Sequence, residues 1–129
     1  MELLMKIIKT KWFSKWVNKN AVDDQALVVS AKEIFKGNYE ANYGAGVIKK
    51  RVAHKGHGKS TSARTIVAYK HGKGCFFAYG FGQNAKSNIS EAEEKAIKLL
   101  AKALFAYSEI ELFEQIKKGA LIEVDYEQE

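Results

Sequence analysis

The spacing of the apolar residues changes twice along this chain, and those changes limit the folds open to it. From residue 10 to residue 36 the spacing is helical. Trp12, Phe13, Trp16 and Val17 recur at the helical period, with Thr10 placed to cap the segment. A second helix is expected over residues 22–36. Leu27, Val28, Ala31, Ile34 and Phe35 line its face, Asp23 and Asp24 sit in its first turn, and Gly37 fits its C′ position. From residue 46 the period becomes two. Residues 46–53 (GVIKKRVA), 62–70 (SARTIVAYK) and 74–81 (GCFFAYGF) read as three strands. The turn His71-Gly72-Lys73 makes the last two a hairpin, and a glycine-rich basic loop, HKGHGKST, joins the first two. Helical spacing returns at residue 90. SEAE is a capping box for a helix to about residue 107, with Ala96, Ile97, Leu100, Ala103 and Leu104 as its buried stripe. SEIE is a second capping box, for a helix ending at Gly119. Residues 3–9 (LLMKIIK) and 121–126 (LIEVDY) supply a first and a last strand.

The resulting order is β-α-α-β-β-β-α-α-β. It predicts one α+β domain over residues 1–129: a small antiparallel sheet, built from a three-strand meander plus edge strands, flanked by an N-terminal helical hairpin and C-terminal helices. A parallel nucleotide-binding sheet does not fit that order. The single cysteine, Cys75, rules out a disulfide framework and suits a reducing compartment. No apolar run approaches the roughly 18 residues of a membrane span. The opening MELLMKIIKTKWF is broken by Lys6, Lys9 and Lys11 and no small-residue cleavage site follows, so a cytoplasmic location is expected.

The net charge of +6 conceals a division. Residues 1–86 carry 16 basic and 5 acidic side chains, and residues 87–129 carry 5 basic and 10 acidic. Nine Lys or Arg and no acidic residue lie between Glu40 and Glu91, a window that also holds His54, His57 and His71. A cationic surface of this kind suits a polyanionic partner.

Several motifs point elsewhere but lack their structural context. Residues 53–60 (AHKGHGKS) resemble a phosphate-binding loop, yet a strand follows where that loop needs a helix N-terminus. Residues 80–85 (GFGQNA) fit a dinucleotide-binding pattern, but the next helix opens with Glu91, Glu93 and Glu94, which repel a pyrophosphate. The β-β-β-α run is similar to a double-stranded-RNA-binding domain, except that its last helix begins with acids rather than lysines. His54 and His57 lie in a loop without cysteine or carboxylate neighbours, so no metal is expected. Trp12 and Trp16, four apart, are expected in the core.

The basic strand is the sharper signal. Lys49 and Arg51 project to one face and Lys50 to the other. Arg64 stands on the next strand in an otherwise apolar run, and its planar fork suits a phosphate. A solvated edge strand that resists aggregation is the bland alternative.

With these pieces in order, the chain resembles the RelE/ParE toxins of bacterial toxin–antitoxin pairs, nearest to the RelE and HigB-like branch. The resemblance rests on TKWFSKWVNK, GAGVIKKRVAHKGHGKSTSARTIVAY, FFAYGFGQNAKSNIS and GALIEV. It implies a ribosome-dependent endoribonuclease that cuts mRNA by attack of the RNA's own 2′-hydroxyl, without metal or other cofactor. It also implies a cognate antitoxin, expected to be a helix-turn-helix protein. By position, Lys49 and Arg51 match the family's basic strand pair and Arg64 its arginine on the next strand. Gln83 stands where this branch tends to have a lysine, with Lys86 the nearest cation, and Ala63 stands where an aromatic is common. The candidate catalytic set is therefore Lys49, Arg51, Arg64 and Lys86. Lys49 is the candidate base, Arg64 the phosphate holder, and Arg51 or Lys86 serves the leaving group. Lys50, His54, Lys55, His57 and Lys59 are candidate RNA contacts, the two histidines also being rival acid–base groups. A ParE-like toxin that poisons DNA gyrase and a non-catalytic RNA-binding module are the alternatives.

Overall fold

The computed structural model describes residues 6–53, 63–82 and 88–126 of the 129. Strand β1 (Ile7–Thr10) leads into helices α1 (Lys11–Lys19) and α2 (Asp24–Phe35). Strands β2 (Ala41–Gly44), β3 (Val47–Val52), β4 (Ala63–Lys70) and β5 (Gly74–Phe81) follow. Then come α3 (Glu91–Ala106), α4 (Glu109–Lys117) and β6 (Leu121–Glu123). The α+β class and the flanking helix pairs are as the sequence leads one to expect. No helix among the described residues is long and apolar enough to cross a membrane.

The local signals work as read at α1, α3 and α4, whereas Asp23, expected in the first turn of α2, is instead its N-cap. Thr10, Asp23, Ser90 and Ser108 each accept a hydrogen bond from the first turn of the helix they precede. Both capping boxes form.

Three features differ. The six strands of the described residues are ordered β2-β3-β4-β5-β1-β6, so β1 is interior rather than an edge, and it runs parallel to β5. Its burial explains this: Ile7 packs with the α1/α2 side and Ile8 with the α3/α4 side, so both faces of the strand are covered. Strand β2, which carries no strong apolar alternation, forms by turning back on β3 through Gly44-Ala45-Gly46, with φ of 90°, 57° and 82°. In α3 the buried residues are Ile97, Ala101 and Leu104, whereas Leu100, Ala96 and Ala103 are exposed. That stripe is rotated by one position from the expected one.

The sheet is thus sandwiched. Ile48, Val52, Val67, Cys75 and Phe77 meet α1 and α2; Val47, Ile66, Ala68, Phe76 and Phe81 meet α3 and α4. A bulge at Ala78 shifts the β4–β5 register: Phe77 faces Val67, but Tyr79 faces Ile66. The shift sets Tyr79 and Phe81 on the same side as Phe76. Gly80 allows close approach on the opposite side, where a Cβ would lie 2.7 Å from the Trp16 ring.

Candidate active site

The alternation of β3 separates its three cations. Val47, Lys49 and Arg51 share the α3 face; Ile48, Lys50 and Val52 share the α2 face. Lys50 is therefore buried beneath α2, 3% exposed, with Nζ 2.8 Å from Glu33 Oε1 and 3.0 Å from the Asn38 carbonyl oxygen. This corrects its assignment as an RNA contact. The carboxylate that neutralises it lies on the preceding helix, outside the acid-free window of the sequence.

Lys49 and Arg51 converge with Arg64. In the β3–β4 ladder Arg51 is directly opposite Arg64, and Lys49 is opposite Ile66. Opposed Cβ atoms in such a ladder are about 5 Å apart, and like charges placed so are unfavourable without a counter-ion. The three side chains, with Glu40 and Asn88, line a cleft of about 380 Å³. None of the three cations forms an ion pair among the described residues. Arg64 Nη1 is buried and has no hydrogen-bond partner among the described residues. An unpaired buried guanidinium N–H costs free energy, and a phosphate oxygen placed there would satisfy it.

Two groups in the cleft escaped the sequence reading. Glu40 is the last acid before the basic window, and the β2–β3 pairing brings it back across the sheet. Its Oε1 accepts the Arg51 backbone N–H at 2.6 Å, and its own N–H donates to the Lys49 carbonyl at 2.9 Å. A carboxylate therefore stands at the rim of a cleft that the sequence presents as purely cationic. Asn88 is held by the Tyr43 hydroxyl, which donates to its Oδ1. Burial, then the Glu94 carboxylate, pushes the Tyr43 phenol up, so it stays a donor at neutral pH.

The other window residues disperse. His71 lies in the β4–β5 turn at the far end of β4 from Arg64, stacked against Phe35 at 5.7 Å. Lys70 sits over the Phe105 ring. His54, Lys55, His57, Lys59, Gln83 and Lys86 lie outside the described residues. Cys75 is fully buried, and desolvation pushes its thiol up, which suits core rather than nucleophile.

Chemically, the described cleft offers two guanidinium groups and an ammonium for a phosphodiester, a carboxylate as proton acceptor, and an amide donor. A family model described as RelE toxin of RelE / RelB toxin-antitoxin system matches residues 5–124. No curated protein matches the chain.

Proposed function

Because the chain belongs to the RelE toxin family, and so is a toxin of a toxin–antitoxin system with an antitoxin partner, we propose that it arrests translation by cleaving mRNA on the ribosome. The observation that carries this reading is the buried Arg64 Nη1, without a hydrogen-bond partner among the described residues, on the residue opposite Arg51 in the ladder. A phosphodiester is the group that would satisfy both forks at once.

The reaction is attack of a ribose 2′-oxygen on the adjacent phosphorus. The 2′ proton leaves to a base, the P–O5′ bond breaks, and the 5′-oxygen takes a proton; the products are a cyclic phosphate and a 5′-hydroxyl. Arg64 holds the scissile phosphate and stabilises charge on its equatorial oxygens. Lys49 is the base on the α3 face, and Glu40, in the same cleft, is the rival for that role. Arg51, an exposed cation of the same cleft, serves the leaving oxygen, with Lys86 its alternative in that role.

Purified ribosomes programmed with a defined mRNA test this by mapping the cut ends. Wild type should give ribosome-phased cuts. Arg64→Ala should fold normally and cut on the order of 100- to 1,000-fold more slowly, the loss typical of one preorganised charge donor. Glu40→Gln and Lys49→Met, compared over pH, assign the base. If Arg64→Ala and Lys49→Met both cleave like wild type, the site is wrong. A DNA-damage response with intact mRNA on induction would transfer the reading to a gyrase poison.

A further inference from the structure

Trp12 is not the core residue its spacing with Trp16 suggests. Trp16 packs against Phe13, with ring centroids 5.4 Å apart, and covers Gly80. Trp12 instead lies on Tyr79, with centroids 4.7 Å apart and planes tilted by 31°, and remains 48% exposed. Nearly half of the Trp12 side chain is thus accessible to solvent while its ring rests on Tyr79. Tyr79 in turn neighbours Phe81 at 6.1 Å, and Phe81 is the ladder partner of Arg64. Read across the sheet, one row therefore runs Arg51 on β3, Arg64 on β4, Phe81 and Tyr79 on β5, and Trp12 where β1 becomes α1.

Cations flank the Trp12 end of that row, while within it the Tyr79 hydroxyl donates to the Glu93 carboxylate at 2.9 Å. Lys11 and Lys15, one before and three after Trp12 on α1, are both exposed and form no ion pair among the described residues. No acid stands in the first turn of α1. Strands are about 4.8 Å apart, so Trp12 lies two strand spacings, roughly 10 Å, from the Arg64 strand. That is a step or two along an extended single strand from a phosphate held at Arg64. A stacking ring flanked by unpaired cations is the arrangement that binds single-stranded nucleic acid without reading sequence.

We propose that Trp12, with Lys11 and Lys15 beside it, is a nucleobase-stacking subsite for RNA whose phosphate is held in the Arg51–Arg64 cleft. The proposal rests on the RNA-cleaving reading but is separable from it, because stacking is read without cleavage.

The probe is a short single-stranded RNA made uncleavable by 2′-O-methyl substitution throughout, titrated into the full chain. The background is Trp16→Phe, which leaves Trp12 as the only tryptophan. The oligonucleotide should quench Trp12 fluorescence. Trp12→Ala should weaken binding roughly 5- to 150-fold, the range for loss of one stacked base, whereas Trp12→Phe should retain most of it. Lys15→Ala should lower the slope of log affinity against log salt by about 0.7, and Trp12→Ala should leave that slope unchanged. Abasic substitution at one position should reproduce the Trp12→Ala loss. The subsite is overturned if the oligonucleotide binds without quenching, if it fails to bind at all, or if Trp12→Ala binds equally well. Unchanged affinity in Trp12→Ala alongside lost cleavage in Arg64→Ala would sink the subsite alone. Quenching with no cleavage by wild type would sink only the nuclease.

Discussion

Replacing Lys50 should damage stability and leave RNA handling alone, the reverse of what Lys49 should show. In Lys50→Ala three buried methylenes disappear, worth about 0.8 kcal/mol each, or roughly 2.5 kcal/mol. The Asn38 carbonyl oxygen loses its donor, at about 1 kcal/mol. The ion pair itself adds little, since the Glu33 side chain is 45% exposed and water can resolvate its carboxylate. Against these losses stands the relief of a buried ammonium's desolvation. The net expectation is a destabilisation of about 2–3 kcal/mol, near 10 °C in Tm for a chain of this size. Lys50→Met keeps the methylenes and drops the charge, so it should lie within about 1 kcal/mol of wild type. Urea unfolding followed by circular dichroism gives the stabilities, and oligonucleotide titration over salt gives the phosphate contacts. Lys49→Met should lower the salt slope with stability nearly unchanged, whereas Lys50→Met should leave the slope alone. If Lys50→Met instead weakened binding and lowered the slope as Lys49→Met does, the assignment of Lys50 to the scaffold would fail.

Two further expectations concern the core. Gly80→Ala drives a methyl to 2.7 Å from the Trp16 ring, so it should cost roughly 1–3 kcal/mol by overpacking; Gly80→Ala combined with Trp16→Leu should recover part of that loss, and additive losses would refute the contact. Cys75 is held as a thiol well above the ordinary value of 9.0 by burial. Unfolding above pH 9 therefore releases a proton, and stability should fall with rising pH there by up to about 1.4 kcal/mol per pH unit. A Cys75→Ala variant lacking that extra alkaline loss checks the cause; equal slopes would refute it.

Local rules carried the helices. Serine or threonine caps, capping boxes and apolar spacing fixed where α1, α3 and α4 begin, because those signals act within a few residues. The paired positions of Lys49 and Arg51 also followed from strand alternation alone. The pairing of β1 did not, because a short apolar run says that a strand is buried but not which neighbours bury it. Trp12 and Trp16 show the same limit: four residues apart, they predict a shared face, yet the β5 bulge and Gly80 gave each a different neighbour.

The charge division is where the two kinds of knowledge meet. Sequence by itself determined that an acid-free basic stretch coincides with the meander, and that Arg64 interrupts an apolar strand. Only the tertiary structure decided which cations meet. Pleating sent Lys50 to Glu33 on the opposite face, and the β2–β3 turn returned Glu40 to the cleft rim. The β4–β5 turn carried His71 to the far end, and the cross-strand register set Arg51 against Arg64. The physical reason is range. Propensity and alternation act along the chain over a few residues, whereas a binding site for a phosphate is made by side chains that only the pairing of distant strands brings within reach of one another.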